Sequence, residues 1–383
     1  MEKKFKVMTV FGTRPEAIKM APVVKALEKQ ECVECCVVLT AQHREMLDQV
    51  VDLFQIKPAY DLNLMKHGQT LASITSGVIE GLDPILINEK PNLVLVQGDT
   101  STTFVAALAA FYHRIPVGHI EAGLRTGQKY SPWPEEINRK LTSDLADLHF
   151  APTDLARENL LREGISPENI YVTGNTVIDA LLATVKKEYE FADQNLNRIL
   201  NANKDKRLIL LTTHRRENLG EPMRQTYQAL AQILAEHPDT YVIFPVHKNP
   251  AVRKVVAEVL EHRQRVYLIE PLDYEPFVNL MARAYLVLTD SGGIQEEAPS
   301  LGKPVLCVRD TTERPEAVAA GTVLLVGTEY HSVYAGLTKL LTDQQLYQKM
   351  ARTANPYGDG RAGLRIADIV INFLENSKNK NNH

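Results

Sequence analysis

The stretch YLVLTDSGGIQEEAPSLGKPVL, residues 285–306, passes from an apolar run through a Ser-Gly-Gly turn into a polar segment and then into a second apolar run. It predicts a strand that ends at Thr289, a helix that begins near Gly293 and a further strand. Apolar runs without polar alternation suit strands that are buried on both faces, as in a parallel sheet covered by helices. The stretch therefore predicts one unit of a doubly wound α/β fold.

The same alternation continues along almost the whole chain and restarts at Arg207. Apolar runs of the first half include KVMTVFG, LVLVQGD and PVGHIEAG, and those of the second half include RLILLTTHR, YVIFPVH and PVLCV. The chain has 383 residues, whereas single cores usually stop growing near ~250 residues. We predict two Rossmann-type domains that divide at residues 175/176, with ligands at the carboxyl ends of the strands in a central cleft.

Composition and charge limit the partners of this chain. The chain has 43 Lys and Arg against 47 Asp and Glu, a formal net charge of −4, which gives no basic excess for nucleic acid. The first apolar run ends at Gly12, and no segment approaches the ~18 apolar residues of a membrane helix, so we expect a cytoplasmic protein without membrane contact. Four cysteines, which include the spacing CVEC, predict buried free thiols and neither a metal site nor a redox pair.

The Ser-Gly-Gly turn predicts an anion site. Backbone N–H groups and the positive end of the helix dipole point at whatever lies above such a turn. Gly292 and Gly293 allow close approach of an anion, and Ser291 adds a hydroxyl donor. A turn in which Ser291 only caps the helix is the alternative. Arg314, just after the following strand, favours the anion site because its guanidinium group suits a diphosphate.

The helix that follows the turn carries two acidic residues. Glu297, about one helical turn beyond Gly293, is placed to accept hydrogen bonds from vicinal ribose hydroxyls, whereas Glu296 should face another way. We expect no G-x-G-x-x-G to open a helix anywhere in the chain, and no G-x-x-x-x-G-K-[ST] occurs, which disfavours a dinucleotide cofactor and a P-loop NTPase. We therefore expect the ligand to be a nucleotide diphosphate compound.

Six separated motifs follow one another along nearly the full length: FGTRPEAIKMAPVV, QGDTSTT, HIEAGLRT, SPWPEEINR, THRREN and DSGGIQEEAPSLGKPVLCVRDTTERPE. Together they resemble the non-hydrolysing UDP-N-acetylglucosamine 2-epimerases of bacteria. The resemblance implies a glycosyltransferase-B-like fold, a homodimer, no cofactor or metal, and reversible conversion of UDP-N-acetylglucosamine into UDP-N-acetylmannosamine for surface polysaccharide synthesis. It also implies that a C-terminal helix, residues 360–383, joins the first domain (residues 1–175) and leaves residues 176–359 for the UDP-binding domain.

The resemblance also implies a mechanism. Members of this family eliminate UDP across C1 and C2 to give a 2-acetamidoglucal, then add UDP back with the C2 proton on the opposite face. By this resemblance Asp99, Glu121 and Glu135 are the acid and base groups, and His214 assists departure of UDP. Asp99 and Glu121 follow neighbouring predicted strands and should meet at one sheet edge. Three acids at one site repel one another, so at least one should have a raised pKa. Which acid serves which face of C2 stays open.

Further residues are assigned to ligands by the same resemblance. Arg14 and Lys19 should reach the diphosphate or the sugar, and Phe277 should lie near the uracil. Many relatives carry a second, activating UDP-N-acetylglucosamine, for which the matching residues are Gln42, His43, Gln69, Arg215 and His247. Gly68 stands where regulated relatives carry arginine, so we expect activation to be weak or absent.

Three other functions use a similar layout. A hydrolysing epimerase releases UDP and free N-acetylmannosamine, a glycosyltransferase of the same architecture needs an acceptor site, and a nucleotide-sugar sensor needs the binding turns without the acids. The three carboxylates favour proton abstraction at one sugar position over activation of an acceptor. His67, His119 and His149 are predicted to be structural and not additional acids.

Overall fold

The computed structural model describes residues 4–41, 44–64 and 68–381. The chain forms two compact units, Met1–Ala180 with Tyr357–His383 (unit 1) and Leu181–Pro356 (unit 2). Each unit contains one parallel sheet, which confirms the predicted α/β class with two Rossmann-type domains.

Unit 1 is built on a seven-stranded sheet. Its strands are β1 (Phe5–Phe11), β2 (Val33–Leu39), β3 (Tyr60–Asp61), β4 (Leu93–Gln97), β5 (Val117–Ile120), β6 (Leu148–Ala151) and β7 (Ile170–Val172). Its helices are α1 (Arg14–Glu28), α2 (Arg44–Leu53), α3 (Leu71–Glu89), α4 (Ser101–Tyr112), α5 (Glu135–Leu145), α6 (Asp154–Arg162) and α7 (Thr176–Thr184), which runs into unit 2, together with the C-terminal helix (Ala362–Asn381). The strand order is β3-β2-β1-β4-β5-β6-β7. The order reverses between β1 and β4, and ligands of such sheets bind at the carboxyl ends beside that reversal.

The central strands of unit 1 are buried as the apolar runs predict. Val7, Met8, Val10 and Phe11 of β1 are all 1% exposed or less. Side chains of β1, β2 and β4 pack in one cluster with apolar residues of α3 and α4. Burial of successive residues, which point to opposite faces of a strand, explains why the run shows no polar alternation.

The C-terminal helix packs on α1. A Cβ at Gly363 would lie 2.9 Å from the backbone of Pro22, so the two helices approach too closely for a larger residue there. The sequence GDGRAG, residues 358–363, is a G-x-G-x-x-G that opens this helix, so the prediction that no such motif opens a helix was wrong. It follows no strand, and the Asp179 carboxylate accepts hydrogen bonds from the N–H groups of Ala362 (3.1 Å) and Gly363 (2.8 Å). The helix N-terminus is therefore occupied by a carboxylate of the same chain, which does not favour a dinucleotide there.

Unit 2 is built on a six-stranded sheet. Its strands are β8 (Arg207–Thr212), β9 (Thr240–Pro245), β10 (Val266–Ile269), β11 (Leu286–Thr289), β12 (Val305–Cys307) and β13 (Val323–Leu325). Its helices are α8 (Gln194–Ala202), α9 (Glu221–Glu236), α10 (Pro250–Val259), α11 (Tyr274–Arg283), α12 (Gly292–Ser300), α13 (Pro315–Ala320), α14 (Tyr330–Thr342) and α15 (Gln344–Arg352). The strand order is β10-β9-β8-β11-β12-β13, which reverses between β8 and β11. The strand predicted to end at Thr289 does so, and the next helix begins at Gly292, one residue before the predicted start.

The cysteines are free thiols, and one of them departs from the prediction. Cys36 and Cys307 are buried and Cys35 is partly buried, but Cys32 is exposed because it precedes β2. Burial raises the pKa of the Cys35 thiol to about 12 and that of Cys36 to about 11. These two thiols are therefore protonated at neutral pH and are poor nucleophiles. Among the helices of the described ranges, none is both long and apolar enough to cross a membrane.

Candidate active site

Two of the predicted acids and one predicted cation of unit 1 follow the carboxyl ends of β1, β4 and β5. Asp99 lies two residues beyond β4, and Glu121 directly follows β5, the neighbouring strand. Arg14 is the first residue of α1, which follows β1. The sheet thus brings these side chains to the edge beside its strand-order reversal, as predicted for Asp99 and Glu121.

Glu121 is held by donors from three segments of unit 1. Its side chain is 6% exposed and accepts two hydrogen bonds from Lys19 Nζ, at 2.6 and 2.7 Å. Asn175 Nδ2 donates from 3.0 Å, and Gln97 Nε2 donates as well. Glu121 also has a φ of 64°, in the left-handed region that is uncommon for residues other than glycine. Lys19, which we expected to reach the diphosphate or the sugar, is engaged with this carboxylate.

The pKa of the Asp99 carboxyl group is raised. Burial is the main cause, the nearby Glu121 also raises the pKa, and the Arg139 guanidinium group lowers it. Arg139 donates a hydrogen bond to Asp99 Oδ2, and Asn138 Nδ2 donates to the Asp99 carbonyl from 2.9 Å. A carboxyl group with a raised pKa suits a residue that exchanges protons near neutral pH.

The two adjacent acids of SPWPEEINR have different surroundings. Glu136 is 1% exposed, and its carboxylate accepts hydrogen bonds from the N–H groups of Thr126 (3.1 Å) and Gly127 (3.0 Å). Glu135, the predicted acid, is partly buried at the start of α5, and its side chain has no hydrogen bond or ion pair with any described residue. Glu136 therefore holds the loop, whereas the carboxylate of Glu135 is available to a ligand.

The first turn of α1 is tightly closed. Glu16, which is 2% exposed, accepts hydrogen bonds from the N–H groups of Gly12 (3.0 Å) and Thr13 (2.7 Å), and burial raises its pKa. A Cβ at Gly12 would lie 1.8 Å from Thr40 Oγ1, so only glycine fits. Arg14 is partly buried and makes no hydrogen bond or ion pair with the described part of the chain. Its guanidinium group is therefore a cation available to an anionic ligand.

The turn between β11 and α12 has the features of an anion site. Ser291 is the N-cap residue, but its side chain makes no capping hydrogen bond, so the capping alternative does not describe this turn. A Cβ at Gly292 would lie 3.7 Å from Arg215 Nη2 and 3.9 Å from Arg314 Cζ. Two guanidinium groups therefore flank the N-terminus of α12, and a Cβ at Gly293 would point into open space.

The acidic pair of α12 points in two directions, as predicted. Arg314 Nε donates to Glu296 Oε1, and Glu296 is 1% exposed. Glu297 is 8% exposed and accepts a hydrogen bond from Tyr274 Oη at 3.1 Å. Tyr274 begins α11, the helix that also carries the partly buried Phe277. The predicted ribose and uracil residues are thereby linked through one helix.

His214 follows β8, on the other side of the reversal in unit 2. Its N–H donates to Asp290 Oδ2 from 2.9 Å, its Nδ1 lies 3.4 Å from Asp290 Oδ1, and its ring stacks on His247 at 5.5 Å between centroids. Burial lowers its pKa, the Asp290 carboxylate raises it, and His247 lowers it. Asp290 is fully buried and was not predicted, although it stands directly before Ser291 in the quoted turn.

The residues assigned to a second nucleotide sugar belong to both units of the chain. Arg215 and His247 line a cavity of about 500 Å³ together with His214, and Arg215 also lies beside Gly292. Gln69 donates to the Leu64 carbonyl. Gln42 and His43 lie outside the described residues.

Of the three histidines predicted to be structural, His119 and His149 have structural contacts, and His67 lies outside the described residues. His119 is fully buried, its Nε2 lies 2.7 Å from the Gly98 carbonyl oxygen, and burial lowers its pKa to about 3. His149 Nε2 lies 2.9 Å from the Ser143 carbonyl oxygen, and burial lowers its pKa as well. Within the described ranges, His, Cys, Asp and Glu form no group of three that could hold a metal ion.

Known proteins of similar sequence and fold identify the family. A family model described as UDP-N-acetylglucosamine 2-epimerase matches residues 25–371. The UDP-N-acetylglucosamine 2-epimerase of Bacillus subtilis is 56% identical over 369 residues, which covers 96% of each chain. A solved structure from Listeria monocytogenes has a TM-score of 0.92 and 53% identity, with 97% of each chain covered. The Neisseria meningitidis UDP-GlcNAc 2-epimerase, solved with bound UDP-GlcNAc, has a TM-score of 0.86 and 52% identity and covers 96% of this chain and 100% of its own. The chain belongs to the UDP-N-acetylglucosamine 2-epimerase family, as its six motifs predicted.

Proposed function

We propose that this protein interconverts UDP-N-acetylglucosamine and UDP-N-acetylmannosamine without net hydrolysis. The observation that carries the proposal is the pair of carboxylates, Asp99 and Glu121, at the ends of adjacent strands. A glycosyltransferase needs one base for its acceptor, whereas inversion at C2 needs groups that remove and deliver a proton on opposite faces of the sugar. Family membership supports the same reaction.

The nucleotide is proposed to bind in unit 2. The diphosphate would accept hydrogen bonds at Ser291, Gly292 and Gly293, where the helix N-terminus and the flanking Arg314 supply positive charge. Glu297 would accept hydrogen bonds from the ribose hydroxyls, and Phe277 would contact the uracil. Arg215 lies beside Gly292, so we extend the proposal by assigning it to the diphosphate as well as to a second nucleotide sugar.

Breaking the C1–O bond leaves negative charge on the departing UDP. We propose that His214 donates a hydrogen bond or a proton to that diphosphate. Its lowered pKa makes the free imidazole neutral at pH 7, and an arriving diphosphate would favour the protonated ring. Asp290 holds the main chain and the ring in place for this role.

The sugar is proposed to react at the acids of unit 1. Removal of the C2 proton and loss of UDP give a 2-acetamidoglucal, and the return of UDP to C1 with a proton to the other face of C2 completes the inversion. Asp99, Glu121 and Glu135 form the proposed acid and base set, and Arg14 and Lys19 are the nearby cations. Lys19 already donates hydrogen bonds to Glu121, so we propose that Lys19 acts through that carboxylate.

The remaining proposals rest on the resemblance alone. We propose a homodimer that acts in the cytoplasm in the synthesis of surface polysaccharide. Sedimentation of the purified protein tests the dimer, and a monomeric species that retains full activity would contradict it.

Proton NMR of UDP-N-acetylglucosamine with the protein in deuterated water tests the proposed reaction. We expect a stable mixture of the two epimers with deuterium at C2, because the C2–H bond must break. The Asp99→Asn variant is the matched control and should exchange far more slowly. Free N-acetylmannosamine with UDP would identify a hydrolysing epimerase, and an unchanged spectrum would favour a transferase or a sensor.

A further inference from the structure

Arg139 is a buried cation of unit 1 that the sequence did not single out. Its side chain is 11% exposed and lies on the second turn of α5. One terminal nitrogen, Nη2, donates to Asp99 Oδ2, and the other, Nη1, lies 3.3 Å from Glu136 Oε2. Its Nε is buried without a hydrogen-bond partner in the described structure. A buried ion pair of this kind adds little net stability, because removing both charges from water is costly.

The main chain around Asp99 is already fixed without Arg139. The Asp99 carbonyl accepts from Asn138 Nδ2 at 2.9 Å, and the Gly98 carbonyl accepts from His119 Nε2 at 2.7 Å. The Gly98 N–H donates to the Ile120 carbonyl from 2.9 Å, which ties this turn to the end of β5. These contacts hold the main chain but do not fix the direction of the Asp99 carboxylate. The hydrogen bond from Arg139 fixes that direction.

The second contact of Arg139 reaches Glu136, which follows Glu135 in the first turn of the same helix and holds the loop that precedes it. The Glu136 carboxylate accepts the N–H groups of Thr126 and Gly127, and Thr126 Oγ1 donates to the Ser131 carbonyl from 2.6 Å. The loop from residue 126 to residue 134 is therefore attached to α5 at Glu136. Through its two terminal nitrogens Arg139 joins this attachment point to Asp99.

We propose that Arg139 is a positioning residue that fixes the Asp99 carboxylate in one orientation and holds the loop before Glu135, residues 126–134, in register with it. This inference rests on the proposed epimerase reaction, in which both acids act on C2. The guanidinium group contacts the two carboxylates through two separate terminal nitrogens held in one plane, whereas lysine has a single nitrogen on a differently shaped side chain, so lysine should not reproduce this geometry.

The experiment compares Arg139→Lys and Arg139→Met with wild type and with Arg125→Lys. Arg125 is a matched control: its side chain is 7% exposed, it pairs with Glu163, and like Arg139 it donates to the Leu124 carbonyl. It has no described contact with Asp99 or Glu136. We expect kcat of both Arg139 variants to fall by ~100-fold, since a misplacement of about 1 Å has that effect. KM should change by less than about threefold, because binding of the nucleotide is proposed for unit 2.

The pH profile separates positioning from a purely structural role. The charged groups that act on Asp99 are Arg139 of α5, Glu121 directly after β5 and Lys19 of α1. Arg139→Met removes a charge that lowers the Asp99 pKa, so the limb of the kcat profile that is missing in Asp99→Asn should move to higher pH. Arg139→Lys keeps a positive charge and should move that limb less. Guanidinium ion at millimolar concentration should restore part of the activity of Arg139→Ala and none to Arg125→Ala.

The outcomes separate this inference from the proposed function. If wild type does not epimerise UDP-N-acetylglucosamine, the proposed function fails. If wild type does so and the Arg139 variants match its kcat and its pH profile, only the role of Arg139 is overturned. It is likewise overturned if Arg125→Lys loses as much activity as Arg139→Lys, or if the folded fraction of each variant, measured by its melting temperature, accounts for the whole loss.

Discussion

Gly292→Ala should weaken UDP binding without weakening the fold. Gly292 is the first residue of α12, and its φ lies outside the positive range that disfavours side chains. The new Cβ would lie 3.7 Å from Arg215 Nη2 and 3.9 Å from Arg314 Cζ, which is ordinary van der Waals contact. Alanine is favoured over glycine in helices by up to about 1 kcal/mol, so the melting temperature should stay equal or rise slightly.

The methyl group would occupy the place where a phosphate must approach the backbone between the two arginines. Loss of one charge-assisted hydrogen bond costs about 1.5–3 kcal/mol, which corresponds to a Kd for UDP raised by about 10- to 150-fold. Isothermal titration calorimetry with UDP measures this directly. Gly77→Ala on α3 is the matched control, because its Cβ would only touch Leu64 at 3.4 Å and UDP affinity should not change. An unchanged Kd in a folded Gly292→Ala protein would refute the diphosphate site at this turn.

Three further results are expected. Burial lowers the pKa of His119 in the folded state to about 3, whereas its pKa in the unfolded chain is about 6.5. The free energy of unfolding should therefore decrease as the pH falls below about 6.5, by up to ~1.4 kcal/mol per pH unit, because protonation favours the unfolded chain. His119→Gln should therefore lose less stability than wild type when melting is followed from about pH 6.5 to 4.5, and equal slopes would contradict the burial of a neutral ring. If Glu297 accepts hydrogen bonds from the ribose hydroxyls, wild type should bind 2′-deoxy-UDP about 10-fold more weakly than UDP, and this difference should be smaller in Glu297→Gln. An equal difference for both proteins, measured by calorimetry, would place the ribose elsewhere. With Gly68 in place of arginine, the protein should convert UDP-N-acetylmannosamine alone, and strict dependence of that reaction on added UDP-N-acetylglucosamine would show that activation persists.

The sequence predicted those parts of the molecule that follow from strand order. Asp99 and Glu121 each come at the end of an apolar run, and parallel strands place such residues at one edge. The direction of Glu296 away from Glu297 followed from helical periodicity alone.

Contacts between distant segments could not be predicted in the same way. Arg139 lies 40 residues from Asp99, and Asp290 lies 76 residues from His214, so their pairing depends on tertiary packing that no local pattern encodes. Nor did the adjacent acids Glu135 and Glu136 reveal which one would be buried, because that choice depends on where the loop after β5 runs. The exposure of Cys32 was missed because it precedes β2 by one residue and so lies outside the buried strand.

The docking of the C-terminal helix on α1 has a consequence for synthesis of the chain. Unit 2 is a continuous stretch, whereas unit 1 is assembled from the first 180 residues and from those after Pro356. A ribosome therefore releases every residue of unit 2 before it has made the helix that covers Pro22 of α1. Until translation is nearly complete, unit 1 of the nascent chain therefore lacks this helix, and that face of α1 stays uncovered. A stop codon near the end of the gene would thus damage the unit encoded first and spare the one encoded second.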